Sequence, residues 1–104
     1  MVQAIDNLTA LVVRVFDVSG HPSLDDWDQW DVEIVTASPV EGRADLLSQR
    51  VGERVPLAVR RELAPDIAPG SLVACRAKLN LGELMVEPHP DPTDFNVRPP
   101  DSSG

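Results

Sequence analysis

Apolar and polar residues alternate along several short segments of this chain, a pattern typical of β-strands with one buried face. In residues 7–18, NLTALVVRVFDV, Leu11, Val13 and Val15 occupy every second position. The opposite face of this segment is also partly apolar, which predicts a central or strongly curved strand. A second strand is predicted over residues 30–37, where Trp30 and Val32 alternate with Asp31 and Glu33.

The clearest local signal is residues 67–87, IAPGSLVACRAKLNLGELMVE. After the Pro69-Gly70 step, the alternation predicts one strand over residues 71–79 and another over residues 83–87. The intervening Asn80-Leu81-Gly82 has the composition of a tight turn, so the two strands are predicted to form a β-hairpin.

Residues 53–64, ERVPLAVRRELA, fit two interpretations. Val55, Leu57 and Val59 alternate as in a strand, whereas Pro56 suits the first position of a helix that would end at Ala64. We favour a strand over residues 53–60, because its β-branched residues share one face. Residues 44–50 predict one or two helical turns within the long connection that precedes it.

Five short strands with a long connection before the third predict an all-β protein, a five-stranded Greek-key small barrel. Its segments VVRVFDV, WDVEIVTA and VPLAV, followed by the hairpin of residues 67–87, resemble the OB-fold superfamily in architecture over residues 7–88. No family-specific motif accompanies this resemblance. Residues 63–66 allow only a short turn where OB folds commonly place a helix, so an SH3-like or other small barrel stays an alternative.

The chain changes character after residue 88. Residues 1–88 are predicted to form the barrel domain. From Pro88 onward the sequence reads PHPDPTDFNVRPPDSSG, and residues 89–104 are predicted to form a disordered, flexible tail that is acidic and rich in proline. Phe95 is the exception in this segment. Its ring is predicted either to be passive or to dock on a partner or back on the barrel.

Charge narrows the range of functions. The chain has 17 acidic and 9 basic residues and a formal net charge of −8, which argues against nonspecific binding to duplex nucleic acid. No apolar run is long enough for a bilayer and no secretory signal is visible, so we expect a cytoplasmic protein without a membrane partner. The single cysteine, Cys75, excludes an intrachain disulfide and is expected to be a buried thiol.

The resemblance to OB folds implies a ligand-binding strand face, most often for oligonucleotides or oligosaccharides. On the predicted strand phases, one aromatic and four basic side chains project outward, a combination that suits single-stranded DNA or RNA. These residues are Arg14, Phe16, Arg60, Arg76 and Lys78. The alternative, which the acidic composition favours, is that the cations pair across strands with Asp31, Glu33, Glu83 and Glu87.

The segment LDDWDQWD supports a rival function, a protein-interaction subunit of a larger assembly. Trp27, flanked by acidic residues in a predicted loop, has two interpretations: an exposed anchor whose acidic neighbours attract a basic partner, or a side chain half-buried against the end of the barrel, which we favour. The partner-binding residues would be Trp27, Asp25, Asp26 and Asp28. The spacing of these aspartates lacks the pattern of a calcium loop, so no metal site is predicted.

No pattern in the chain indicates catalysis or a cofactor. A nucleophile elbow, a phosphate-binding glycine loop and an HExxH motif are all absent from the sequence. The two histidines, His21 and His89, both adjoin proline in predicted loop or tail segments, where no base is clearly positioned. The sequence therefore predicts a non-enzymatic binding module without a cofactor.

Overall fold

β-Strands dominate residues 6–100, which are the residues that the computed structural model describes. The strands are β1 (Thr9–Gly20), β2 (Trp27–Pro39), β3 (Arg54–Arg60), β4 (Leu72–Asn80), β5 (Glu83–Val86) and β6 (Asn96–Arg98). The helical elements in this part of the chain are short 3-10 turns at Ser48–Arg50, Arg61–Leu63 and Pro92–Asp94. The prediction of an all-β protein is confirmed.

Strands β1 to β5 close into a barrel in the order β1-β2-β3-β5-β4, and β4 pairs back with β1. Neighbouring strands are antiparallel except β3 and β5, which pair in parallel. β1 bends to pair with both β2 and β4, and its register with β2 shifts between Val12 and Val13 and again between Val15 and Asp17. This closed Greek-key arrangement is compatible with an OB-like barrel.

The predicted inward faces fill the barrel. Trp30, Val32 and Ile34 of β2 are almost completely buried, and Leu57 of β3 and Val73 of β4 pack in the same core. Leu47 enters this core from the long β2–β3 connection. Burial of large aliphatic and aromatic side chains stabilises the fold by about 1.5–3 kcal/mol for each side chain.

β3 is a strand throughout, so the helix considered for residues 56–64 does not form. Pro56 is tolerated because pairing of β3 with β5 begins only at Leu57, which leaves β3 with a partner on one side at the proline. The chain then makes a single 3-10 turn over Arg61–Leu63. The turns predicted for residues 44–50 are likewise reduced to Ser48–Arg50.

β2 begins three residues earlier than the sequence pattern predicted, at Trp27 rather than Trp30. The β1–β2 hairpin continues as far as the Gly20 and Asp28 pair, and Trp27 lies opposite Arg60 of β3. The prediction that Trp27 and Asp28 belong to a loop is therefore wrong. Pairing with β3 holds Trp27, and pairing with both β1 and β3 holds Asp28, despite their polar surroundings in the sequence.

The predicted β4–β5 hairpin forms around a two-residue turn, Leu81-Gly82. Both turn residues have positive φ, 53° for Leu81 and 84° for Gly82. Two successive positive φ values match the twist of the flanking strands, which explains the glycine at the second position. Leu81 is 93% exposed and lies at the tip of the turn.

Part of the predicted C-terminal tail lies against β4. β6 pairs with Leu72–Ala74, Arg76 donates a hydrogen bond to Asp94 at 3.0 Å, and the Phe95 ring packs against the core. Of the two docking positions considered for Phe95, the structure shows the one on the barrel. The flexibility of residues 89–104 stays a prediction, and residues 101–104 lie outside the described residues.

Candidate functional site

A groove crosses the outer face of β2 and β3 and combines two adjacent clefts of about 260 and 320 Å³. The first cleft opens between the ends of β1 and β3, and the second lies between the β1–β2 loop and the β4–β5 turn. Gln29, Val55 and Pro56 line both clefts and join them. We call this surface the β2–β3 groove. Strand faces flanked by these two loops are the usual ligand-binding surface of OB-like barrels.

His21 closes one end of the β2–β3 groove. Its Nδ1 accepts hydrogen bonds from the backbone N–H groups of Ser23 at 3.1 Å and Leu24 at 3.0 Å. Its Nε2 lies 2.7 Å from a carboxylate oxygen of Glu83, the first residue of β5. The imidazole side chain is only 4% exposed. The β1–β2 loop is thus tied to the β4–β5 turn, and the outward-facing Ala58 of β3 is buried.

The other end of the groove contains a stacked arginine. The guanidinium carbon of Arg54 lies 4.2 Å from the centroid of the Phe16 ring, a cation–π distance. Its Nε and Nη2 donate hydrogen bonds to the two carboxylate oxygens of Asp31 at 3.0 and 2.7 Å. These hydrogen bonds hold the pKa of Asp31 below its ordinary value of 3.8.

Asp17 and Asp31 lie opposite each other on β1 and β2. Like charges at such a pair repel, and the positive charge of Arg54 offsets this repulsion. The hydrogen bonds with Asp31 raise the pKa of Arg54, and the charge of Asp17 adds to this effect. Within residues 6–100, no cation lies within ion-pair distance of the Asp17 carboxylate. Two carboxylates therefore share one guanidinium at this end of the groove.

The five residues predicted to bind nucleic acid are divided between two parts of the surface. Arg14 and Phe16 lie on β1, where Arg14 pairs with Glu33 at 3.5 Å and Phe16 carries Arg54 on its ring. Arg76 and Lys78 lie on β4, and Arg76 is about 13 Å along the sheet from Arg14, because Arg14 lies opposite Leu72.

Arg60 and Arg76 both engage carboxylates and the C-terminal segment. Arg60 pairs with Glu62 at 2.7 Å and donates a hydrogen bond to the Pro88 carbonyl at 3.0 Å. Arg76 pairs with Asp94 at 3.0 Å. Among the five predicted residues, Lys78 is the cation without an ion pair in the described part of the chain. The Arg14–Glu33 pair is of the cross-strand kind described by the alternative prediction, whereas Glu62 and Asp94 lie in 3-10 turns and were not among the predicted partners.

The predicted cluster of acidic side chains around Trp27, formed by Asp25, Asp26 and Asp28, is only partly present. The side chain of Asp28 is 12% exposed and accepts a hydrogen bond from Arg61 at 3.0 Å. Asp25 and Asp26 are exposed, and no ion pair involving either is present within residues 6–100. Trp27 is partly buried and shares the outward face of β2 with Gln29 and Asp31. Trp27 therefore lies on the same strand face as the groove, but it lines neither of the two clefts.

Sequence reasoning missed the contributions of His21, Gln29 and Arg54 to the groove. Alternation along β3 was a usable signal for Arg54, because it places this residue on the face opposite the buried Val55. The pairing of Arg54 with Asp31 depends on the β2–β3 register, and the contact of His21 with Glu83 joins residues 62 positions apart. Neither contact has a local sequence signal.

No family profile, curated protein or solved structure matches this chain at a significant level. In the part of the chain that the structure describes, no group of three or more acidic, histidine or cysteine side chains is arranged to hold a metal ion. The same residues include no helix with the length and apolar character needed to span a bilayer. The arguments about function below therefore rest on the groove itself.

Proposed function

We propose that this protein is a non-enzymatic binding module whose β2–β3 groove takes a segment of a partner protein. The observation that carries the proposal is the composition of the groove, in which polar side chains alternate with apolar ones and each cation is already paired. Arg54 binds Asp31, Arg50 binds Glu53, and His21 binds Glu83. Neutral hydrogen-bonding groups and prolines between these pairs suit a polypeptide.

Gln29, which lines both clefts, is the residue best placed to contact such a segment, and Trp27 lies beside the groove on the same strand face. The Gln29 side chain makes no hydrogen bond with any residue of the described range 6–100, so its amide can donate to and accept from a partner backbone. Trp27 lies two residues away on the same strand face, and tryptophan is a frequent anchor in protein interfaces. The rival prediction, an interface built around Trp27, would then adjoin the groove on the same strand face.

Single-stranded nucleic acid stays the competing prediction. Strong binding of phosphates needs several convergent cations, and an acidic surface weakens it. Arg14, Arg60 and Arg76 each occupy an ion pair, and the net charge is −8. These observations favour a protein partner over a nucleic acid.

Site-specific photo-crosslinking tests the proposal. A benzophenone amino acid at position 29 should give a discrete protein adduct in cells, whereas the same group at Glu41, an exposed residue of the β2–β3 connection, should not. The captured protein should then bind the purified chain, and Trp27→Ala should weaken this binding while the barrel stays folded. Salt-sensitive binding of a single-stranded oligonucleotide that is lost in Arg14→Ala and Lys78→Ala, without any position-29 adduct, would contradict the proposal.

A further inference from the structure

The charges at the Phe16 end of the β2–β3 groove point to the chemistry of its occupant. We infer that the groove takes an extended peptide segment that carries an arginine or lysine, and that this cationic side chain pairs with Asp17. The inference rests on the proposed function, because it assigns a ligand class to the same groove.

The first argument is charge complementarity. Asp17 and Asp31 face outward as register partners, and Arg54 neutralises only one of the two carboxylates. Both carboxylate oxygens of Asp31 accept hydrogen bonds from Arg54, whereas the carboxylate of Asp17 accepts none in the described part of the chain. One negative charge is therefore left at this end of the groove, and a cation from a partner would neutralise it.

The second argument is that the remaining lining offers nothing to an acidic ligand. The guanidinium groups of Arg50 and Arg54 are each engaged by a carboxylate of the same protein, and the His21 imidazole is already hydrogen-bonded to Glu83. An incoming carboxylate or phosphate would have to displace one of these partners and would meet Asp17 at short range. An acidic peptide or an oligonucleotide is disfavoured for the same reason.

The third argument concerns shape and hydrogen bonding. The outward residues Arg54, Pro56 and Ala58 line the groove and span about 13 Å along β3, the length of four residues of extended chain. Ser19 and Gln29 flank the Asp17 position and offer neutral donors and acceptors. Pro56 lies opposite Asp31 and supplies an apolar contact surface. A short extended segment with one cationic side chain satisfies all three features.

NMR titration of the ¹⁵N-labelled full chain tests the inference with three matched peptides. The first is acetyl-Thr-Val-Arg-Val-Thr-amide, the second has citrulline in place of arginine, and the third has glutamate. Citrulline keeps the shape of arginine and lacks its charge. The arginine peptide should shift the amide signals of Asp17, Ser19 and Gln29 and bind about two- to fivefold more tightly than the citrulline peptide, the range expected for a solvent-exposed ion pair.

Two variants assign this preference to one carboxylate. Asp17→Asn should make the arginine and citrulline peptides equally tight, whereas Asp91→Asn, the same change in the C-terminal segment, should keep the preference. Equal binding of both peptides to the unmodified protein would overturn the inference and leave the proposed function standing. Groove signals that respond to oligothymidine and to none of the peptides would overturn both. Tighter binding of the glutamate peptide would overturn the inference alone.

Discussion

His21 Nε2 lies 2.7 Å from the Glu83 carboxylate and links the β1–β2 loop to the first residue of β5. Because Nδ1 accepts hydrogen bonds from two backbone N–H groups, the neutral ring carries its proton on Nε2. This N–H group donates a hydrogen bond to Glu83. One side chain thus satisfies three polar groups at the edge of the groove. Its position explains how an exposed acidic loop is held over β3.

His21→Ala should loosen the β1–β2 loop and leave the barrel folded. The Ser23 and Leu24 amides lose their acceptor, so we expect a loss of about 1–2 kcal/mol in the free energy of unfolding, measured by urea denaturation. Hydrogen exchange should accelerate at residues 21–26 and not at the core of β4. Glu83→Gln, which keeps an acceptor for Nε2, should have a smaller effect, and equal losses in both variants would contradict this account.

Arg54→Gln should raise the pKa of Asp31, because the hydrogen bonds that stabilise its carboxylate are lost. A lowered pKa contributes stability that is present above pH 3.8 and is lost as the pH falls below it. The variant should therefore lose less stability than the unmodified protein on acidification through this range. NMR titration of the Asp31 carboxyl group measures the shift. Arg98→Gln removes an exposed arginine of β6 and should leave the Asp31 titration unchanged.

Asp45 should be a source of acid sensitivity. The Ser48 side chain next to its carboxylate, together with hydrogen bonds from the Thr9 hydroxyl and the Ser48 and Leu47 amides, lowers its pKa to about 2. The stability that these bonds contribute is present above pH 3.8 and should be lost between about pH 4 and 2. Asp45→Asn should lower the Tm at pH 7 by a few degrees. The Tm of this variant should also change less between about pH 4 and 2 than the Tm of the unmodified protein. Asp66→Asn changes a carboxylate at an exposed turn and serves as the control. If it had the same effect on the Tm, the Asp45 contacts would not be the cause of the acid sensitivity.

Cys75 should be inert to thiol reagents in the folded protein. Burial raises the pKa of its thiol to about 12, and the charge of nearby Glu87 adds to this effect, so almost no thiolate forms at pH 8. Ellman's reagent should react at once with urea-unfolded protein and with the native protein only as fast as it opens. Rapid labelling of the native protein would show that the β4 core is accessible.

Phe95→Ala should release the C-terminal segment from β4. The Phe95 ring packs against the core next to the Arg76–Asp94 ion pair, and β6 contributes only three further residues of pairing. Limited proteolysis should cut the variant after residue 89 several times faster than the unmodified protein, while the barrel stays resistant. Thr93→Ala is a suitable control in the same segment. Rapid cleavage of the unmodified protein at these positions would instead support the predicted flexible tail.

Much of the barrel could be predicted from the chain itself, because alternation of side chains is a local property of a strand. The inward sets Leu11, Val13, Val15 and Trp30, Val32, Ile34 were recognisable without any knowledge of pairing, and all six are buried. The β4–β5 turn was equally local, since a glycine at position 82 relieves the strain of a positive φ. Strand ends were less accurate, and β2 begins at Trp27 because pairing with β1 and β3 extends it.

The groove required contacts between residues that are distant in the chain. Alternation places Asp31 and Arg54 on outward faces, but it would place Asp17 inward with Val13 and Val15, and the register shift between Val15 and Asp17 turns it outward. Only the strand register decides that Asp17 opposes Asp31 and that Arg54 reaches the same point. For the same reason the outward cations Arg14 and Arg76 could be identified from the chain, and their separation and their carboxylate partners could not. Register and closure arise from the simultaneous packing of five strands, and no local sequence window contains that information.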